Sequence, residues 1–376
     1  MNVWLVAFCA AVLLTAAACA AAAEAADAWQ RIAPFFAPPA EFAGDLGPYR
    51  SPLLFDDGRR VETPADWRRR REEILRYWHG VLGRWPPLLE KPAIEVVESG
   101  RREDFTQKKV RVPIGPGLVR EGYLLVPDGR GPLPAVLVVF YDAQTGAGLA
   151  PKKPTSDFGY QLTRRGFVSL SIGWPRDYTD GGGADVQPLS RLAYVAANAC
   201  EALAALEEVD AARIGVVGHS FGGKWAMMAA ALHEKFACVA VSDPGIVFDE
   251  RRPNVNYWEP WYLGFDAARQ RQPGVPTEAN PRSGAYRRLV EDRRDLHELL
   301  ALVAPRPLLV SGGAEDGPQR WRALNHVVAV NRLLGFENRV AMTNRPGHAP
   351  TAESNEALGL FFEHFLKPPA AKRGQM

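Results

Sequence analysis

Residues 209–224 read Val209-Asp210-Ala211-Ala212-Arg213-Ile214-Gly215-Val216-Val217-Gly218-His219-Ser220-Phe221-Gly222-Gly223-Lys224, and this stretch decides the fold. Residues 214–218 are a short apolar run of strand type, and 221–232 are rich in Ala and Met at helical length. Between them lies Gly218-His219-Ser220-Phe221-Gly222, a G-x-S-x-G sequence set at a sharp strand–turn–helix corner. Glycines tolerate the backbone angles of such a corner and leave room around the serine. The Ser220 hydroxyl would then stand above a sheet, with a helix N-terminus beneath any anion that forms there. The bland alternative, a glycine turn with a capping serine, does not account for the strand and helix on either side.

Outward from this corner, strands and helices alternate. Short β segments are expected at 94–97, 109–112 and 123–126, and a continuous apolar run at 135–141 reads as a strand buried on both faces. Further strands fall at 167–172, 238–241, 307–310 and 339–342. Helices fall near 158–165 and at 189–206, 296–303, 320–334 and 356–366. This order predicts an α/β protein with a mostly parallel central sheet covered by helices on both faces. One stretch interrupts it. After the strand ending near Ser242, residues 244–290 are rich in Pro, Gly, Arg and aromatics, and a loop of that length reads as a cap over the ligand crevice. Upstream, 29–92 form an N-terminal arm and a helix. Thr63 caps that helix, Pro64 suits its first position and Asp66 its positive end. The Arg68 to Arg71 run reads as a solvated face. The catalytic region is 93–369.

A serine needs a base. Of seven histidines, His79, His233, His297, His326 and His364 fall within predicted helices, and His219 should point away from the reacting atom. His348 lies in Asn344-Arg345-Pro346-Gly347-His348-Ala349-Pro350, a loop between the last strand and the last helix. That is the base position in the chain order Ser, acid, His. The acid is expected after strand 307–310, where Ser311-Gly312-Gly313-Ala314-Glu315-Asp316-Gly317 offers Asp316. Glu315 beside it and Asp243 after the preceding strand are the alternatives. An oxyanion needs donors as well. The Phe221 backbone N–H is one, and the loop Tyr141-Asp142-Ala143 supplies the second, through the Tyr141 phenol or through an N–H of Asp142 or Ala143. The aromatics Trp174, Trp258 and Trp261 suit stacking against sugar rings, and equally suit core packing.

These residues resemble the α/β-hydrolase superfamily over about residues 93 to 367. The run from Val209 into Gly223 is similar to the acetyl xylan esterase, dienelactone hydrolase and prolyl oligopeptidase branches. Tyr141 stands where prolyl-oligopeptidase-like enzymes keep an oxyanion tyrosine. Lys224 after Gly222-Gly223 is similar to the Gly-Lys that follows the nucleophile in glucuronoyl esterases, but Phe221 stands where those enzymes carry an oxyanion arginine. The resemblance implies the α/β-hydrolase fold and a serine esterase, acetyl xylan esterase-like, acting on a small-molecule or carbohydrate ester. A peptidase of the same superfamily and a non-catalytic carbohydrate-binding protein on this fold are the rival readings. The peptidase would need acids for a charged amino terminus, for which Glu259 and Asp243 are the candidates.

Composition and the chain ends bound the rest. The 376 residues are 47% hydrophobic and 23% charged, which excludes disorder throughout the chain. With 45 basic against 43 acidic residues, nothing marks nucleic acid as a partner. No repeat of 20 to 50 residues is present, which excludes solenoids and propellers. No Cys/His cluster has metal-ligand spacing, so neither metal nor cofactor is expected. Residues 1–23 read as a secretory signal peptide, with cleavage sites up to residue 28 and a periplasmic or secreted product. An uncleaved anchor, or a lipoprotein through Cys19, are the alternatives. Cys200 and Cys238 read as buried free thiols, and 370–376 as a frayed tail.

Overall fold

A computed structural model describes residues 28–129, 131–176 and 186–367. The readings made on the signal segment 1–23, on the Asp180-Gly181-Gly182-Gly183 loop and on the tail 370–376 lie outside the described residues. Nine strands form one sheet: β1 (Glu95–Arg102), β2 (Phe105–Gly115), β3 (Leu118–Pro127), β4 (Leu133–Phe140), β5 (Val168–Gly173), β6 (Val209–His219), β7 (Cys238–Ser242), β8 (Leu308–Gly312) and β9 (Val340–Asn344). Their order is β1-β2-β3-β5-β4-β6-β7-β8-β9. The first three are antiparallel, as is the β3–β5 pair, and from β5 to β9 every pair is parallel. All nine expected strands are present.

The helices among the described residues include α1 (Pro64–Leu82), α2 (Ala143–Gly146), α3 (Phe158–Arg164), α4 (Pro188–Ala204), α5 (Phe221–Leu232), α6 (Gly284–Glu291), α7 (His297–Ala301), α8 (Trp321–Leu333) and α9 (Ala352–Leu366). The run at 135–140 shows why the sheet is covered on both sides. Ala135, Leu137 and Val139 enter the larger core with residues of α4, α5 and α8. Val136 and Val138 enter a second core with residues of α3 and α9. Successive strand residues face opposite sides, so a run that is apolar throughout needs helices on both.

The arm reaches α1 through Thr63, which forms a capping box with Asp66 behind Pro64. It is stitched to the helices across it. Asn325 Nδ2 donates to the carbonyls of Phe42 and Asp45 (2.8 Å each), His326 Nε2 to that of Leu46 (2.9 Å) and His297 Nε2 to that of Arg50 (2.6 Å). The Arg68–Arg71 reading needs one correction. Arg70 has no exposed surface and donates to Asp56 and Glu73. Every third or fourth position of a helix returns to the same face, so an unbroken charged run of four must turn a member inward. Cys200 and Cys238 are buried and unbridged.

Residues 244–290 pack as turns that end in α6. Ile246, Val247, Val255, Tyr257, Trp258 and Leu263 are almost wholly buried there. No helix among the described residues is long and apolar enough to cross a membrane.

Candidate active site

The corner after β6 holds Ser220 at φ 53° and ψ −111°, outside the region that a residue with a side chain normally adopts. Close packing enforces it. A Cβ at Gly222 would run into the carbonyl oxygen of Val139, and one at Gly218 into the Gly222 peptide. Ser220 N–H donates to the Ser242 carbonyl at 2.8 Å, which ties the corner to β7. Ser220 thus sits at the carboxyl edge of the sheet, with the first turn of α5 behind it. The Phe221 N–H opens that helix and has no acceptor within it.

His348 reaches Ser220 from the loop after β9. Its Nε2 lies 2.8 Å from Ser220 Oγ. Its Nδ1 lies 2.7 Å from Oδ2 of Asp243. An ionised carboxylate only accepts hydrogen bonds, so Nδ1 carries the proton and Nε2 accepts from the serine hydroxyl. Asp243 is completely buried. Burial opposes its charge. Hydrogen bonds from His348, from the Asp316 N–H (2.8 Å) and from the Glu315 N–H (3.1 Å) prevail and hold its carboxyl below the ordinary aspartate range.

The acid expected from the sequence was Asp316, and the structure corrects this. Asp316 is equally buried, but its carboxylate faces the start of the loop after β7. It accepts from the N–H groups of Gly245 (2.8 Å) and Ile246 (2.7 Å). Burial is the main reason its carboxyl is pushed up to about 6, and the charge of Asp243 adds to that. The two loops therefore hold each other. The backbone after β8 donates to the Asp243 carboxylate, and the backbone after β7 donates to that of Asp316. Glu315, the other alternative, binds Asn254 Nδ2 at 3.0 Å.

His219 turns away from Ser220, as expected. Its Nδ1 lies 3.1 Å from the Ser242 carbonyl, and its ring centre is 4.7 Å from that of His348. Burial, with the neighbouring His348 next in weight, lowers it to about 3, so it stays neutral. Lys224 is buried. Its Nζ donates to the carbonyls of Pro244 (2.5 Å) and Asn254 (3.3 Å), and burial pulls it down to about 8. It fastens α5 to the loop that carries Asp243.

Of the expected aromatics, two lie beside the nucleophile. Tyr141, 42% exposed, stacks on Phe221 with ring centres 4.5 Å apart and 14° between planes. Trp174 packs on the same Phe221 at 4.9 Å. Tyr262 is hydrogen-bonded to the Tyr141 hydroxyl. Trp258 is corrected to a core residue, because it is 1% exposed and its Nε1 donates to Glu259 at 3.1 Å. Trp261 is partly buried against the same core. Glu259 also pairs with the buried Arg271 at 3.5 Å. Aromatic content marked this loop in the sequence, but the same content serves a core. The residue that sequence reasoning passed over is Arg345, which lies in the quoted His348 loop. Three residues before the base, it was legible only as a charged loop residue. Among the described residues no group of His, Cys, Asp and Glu could hold a metal ion.

A parallel sheet with a strained serine corner after β6 and a histidine loop after β9 defines an α/β hydrolase, and the chain has that fold. It resembles 4-O-methyl-glucuronoyl methylesterase 1 of Phanerochaete chrysosporium, with 24% identity over 345 residues, 84% of this chain and 69% of the relative. The solved glucuronoyl esterase from Solibacter usitatus superposes with a TM-score of 0.66 at 18% identity, covering 87% of this chain and 98% of that one. A putative acetyl xylan esterase from Bacteroides fragilis gives 0.53 at 17%, over 75% and 76% of the two chains. The pattern of the prolyl oligopeptidase family matches residues 196–330.

Proposed function

We propose that this protein is a serine carboxylesterase acting on a carbohydrate ester, exported by the segment at its amino terminus. The observation that carries the proposal is the hydrogen-bonded series Ser220, His348, Asp243, at 2.8 and 2.7 Å. In this reading His348 Nε2 takes the Ser220 proton as Oγ attacks the ester carbonyl. Asp243 holds the imidazole tautomer and stabilises the imidazolium. The carbonyl oxygen becomes an oxyanion, met by the Phe221 N–H and, on its other side, by the Tyr141 hydroxyl. His348 then protonates the leaving alkoxide. In the second half it takes a proton from water, which attacks the acyl-enzyme, and returns that proton to Ser220 Oγ as the acid leaves. Trp174 and the exposed face of Tyr141 are the sugar-stacking surfaces. The relatives named as glucuronoyl esterases and a putative acetyl xylan esterase support carbohydrate esters as the substrate class.

The family pattern over 196–330 would also admit a peptidase. The two acids that could hold a substrate's amino terminus are committed elsewhere, Glu259 to Arg271, Trp258 and the Gly274 N–H, and Asp243 to His348. This favours the ester.

The test is fluorophosphonate labelling read by intact mass, on the wild type and on Ser220→Ala. It is followed by methyl glucuronate esters, acetylated xylo-oligosaccharides and aminoacyl naphthylamides. One adduct on the wild type and none on the variant, with sugar-ester turnover, is the expected result. Turnover by Ser220→Ala at the wild-type rate would overturn the mechanism, and amide cleavage without ester cleavage would overturn the substrate class.

A further inference from the structure

Beyond the triad, the site holds the guanidinium of Arg345. It is 8% exposed and lies under the His348 loop. Its Nε donates to the Ala349 carbonyl (2.8 Å), and one Nη2 bond goes to the carbonyl of His348 itself (2.6 Å). The other bonds run to the ends of two strands. Nη2 reaches Ser242 Oγ (3.1 Å), and Nη1 reaches the Ser311 carbonyl (2.9 Å), Ser311 Oγ (3.0 Å) and the Gly312 carbonyl (3.3 Å). The Arg345 N–H adds a bond to Gly312 O at 3.1 Å. The planar fork of arginine gives these donors a fixed relative geometry, which a lysine ammonium lacks.

The partners set the meaning. Ser242 precedes Asp243 in the chain and accepts the Ser220 N–H on its carbonyl. Ser311 and Gly312 end β8, and the loop after them donates to Asp243. One side chain therefore ties the backbone of the base to the strand ends that position the nucleophile and the acid. We infer that Arg345 is the positioning residue of this site, holding His348 Nε2 and Nδ1 in line between Ser220 and Asp243 without touching the substrate. The inference rests on the serine-hydrolase reading above.

Arg306 is the matched control. It too is bound by backbone carbonyls, those of Val303, His233, Phe236, Ala230 and Leu302 at 2.8 to 3.2 Å, but it stands just before β8, at the opposite edge of the sheet. The experiment compares Arg345→Lys, Arg306→Lys and wild type by melting temperature, by the second-order rate of fluorophosphonate labelling at Ser220, and by kcat and KM on the best ester. Both variants should melt lower. Only Arg345→Lys should lose labelling rate and kcat, by about tenfold or more, since small misplacements of a reacting group cost that much. Its KM should stay within about twofold, because the residue makes no substrate contact.

Labelling by Arg345→Lys at the wild-type rate would overturn the inference. So would an equal loss in Arg306→Lys, which would mark a general stability effect. Should Arg345→Lys not fold, Ser311→Ala removes one anchor of the clamp and should slow labelling several-fold, and no change there overturns the inference. A wild type that takes no label would overturn the serine reading itself, and the inference with it.

Discussion

The two edges of the sheet use the same kind of residue for different ends. At the amino edge, Arg306 gathers carbonyls from the end of α5 and the segment after α7, and burial pulls it down to about 10. Its bonds close the frame. At the carboxyl edge, Arg345 spends the same donors on strand ends and on the backbone of His348. That edge also holds Ser220 at φ 53° and Asp243 at φ 50°, and it buries two carboxylates. The difference teaches that a buried, fully bonded arginine is neither functional nor structural by its bonding alone. What its partners carry decides. Strain and buried charge gather at one edge, where the surrounding hydrogen bonds over-determine them.

The largest expected effect is at the carboxyl edge. Asp243→Asn should lower kcat by about 10⁴-fold, because the neutral amide no longer fixes the tautomer or the imidazolium. Asp316→Asn should lower kcat by less than about tenfold. Its cost should appear in stability, about 1–3 kcal/mol, since an amide offers one acceptor where two N–H groups need partners. Kinetics that reversed this order would return the acid to Asp316 and break the comparison. At the amino edge, Arg306→Met removes the side-chain donor from five carbonyls, of which that of Val303 keeps the backbone N–H of residue 306. It should cost about 3 kcal/mol in denaturant unfolding, with kcat within about twofold of wild type. A collapse of kcat in the folded variant would show that the two edges are not separable.

Acid should weaken the protein through groups at both edges of the sheet and under the arm. His219 and His297 are each held near 3 by burial, against an ordinary value near 6.5. A depressed folded-state pKa means that the unfolded chain binds the proton first. Their contribution is complete above pH 6.5 and is lost as pH falls toward 3. Asp316, raised to about 6, acts with the opposite sign. Its buried charge costs stability at neutral pH and is relieved on acidification. Asp295, raised to about 7 by burial, acts with Asp316, but burial also lowers His79, His233 and His326. The buried histidines outnumber these two carboxylates, so the unfolding midpoint in urea should fall between pH 6.5 and 4, and a midpoint that rises would contradict neutral burial. The smallest effect expected is from Trp174→Ala, a several-fold rise in KM on a sugar ester with little change on a small acetate. Trp258→Ala should instead cost about 3–5 kcal/mol of stability, as large buried aromatics do.

Much of the fold was legible because its signals are local. The doubly apolar run before Phe140, the glycines flanking Ser220 and the Thr63-Pro64 cap each state a backbone demand within a few residues. Placing Ser220 and His348 needed only chain order. Trp258 could not be placed that way, since the side of a loop on which an indole lies depends on what packs above it. Arg70 shows the same limit within a helix, where four arginines in a row read alike until Asp56 and Glu73 meet one of them.

The sequence by itself determined the strand and helix order, the serine corner and the loop that carries His348. Only the tertiary structure decided which carboxylate meets His348. β7 and β8 are parallel neighbours, with Ser242 opposite Ser311, so each delivers a carboxylate to the same edge. Which one meets the imidazole depends on turns and hydrogen bonds between segments some seventy residues apart. The positive φ of Asp243 and the N–H groups of Glu315 and Asp316 aim one carboxylate at His348, while those of Gly245 and Ile246 hold the other away. The role of Arg345 is of the same kind, since its meaning lies in which carbonyls its fork finds across β7, β8 and the loop after β9.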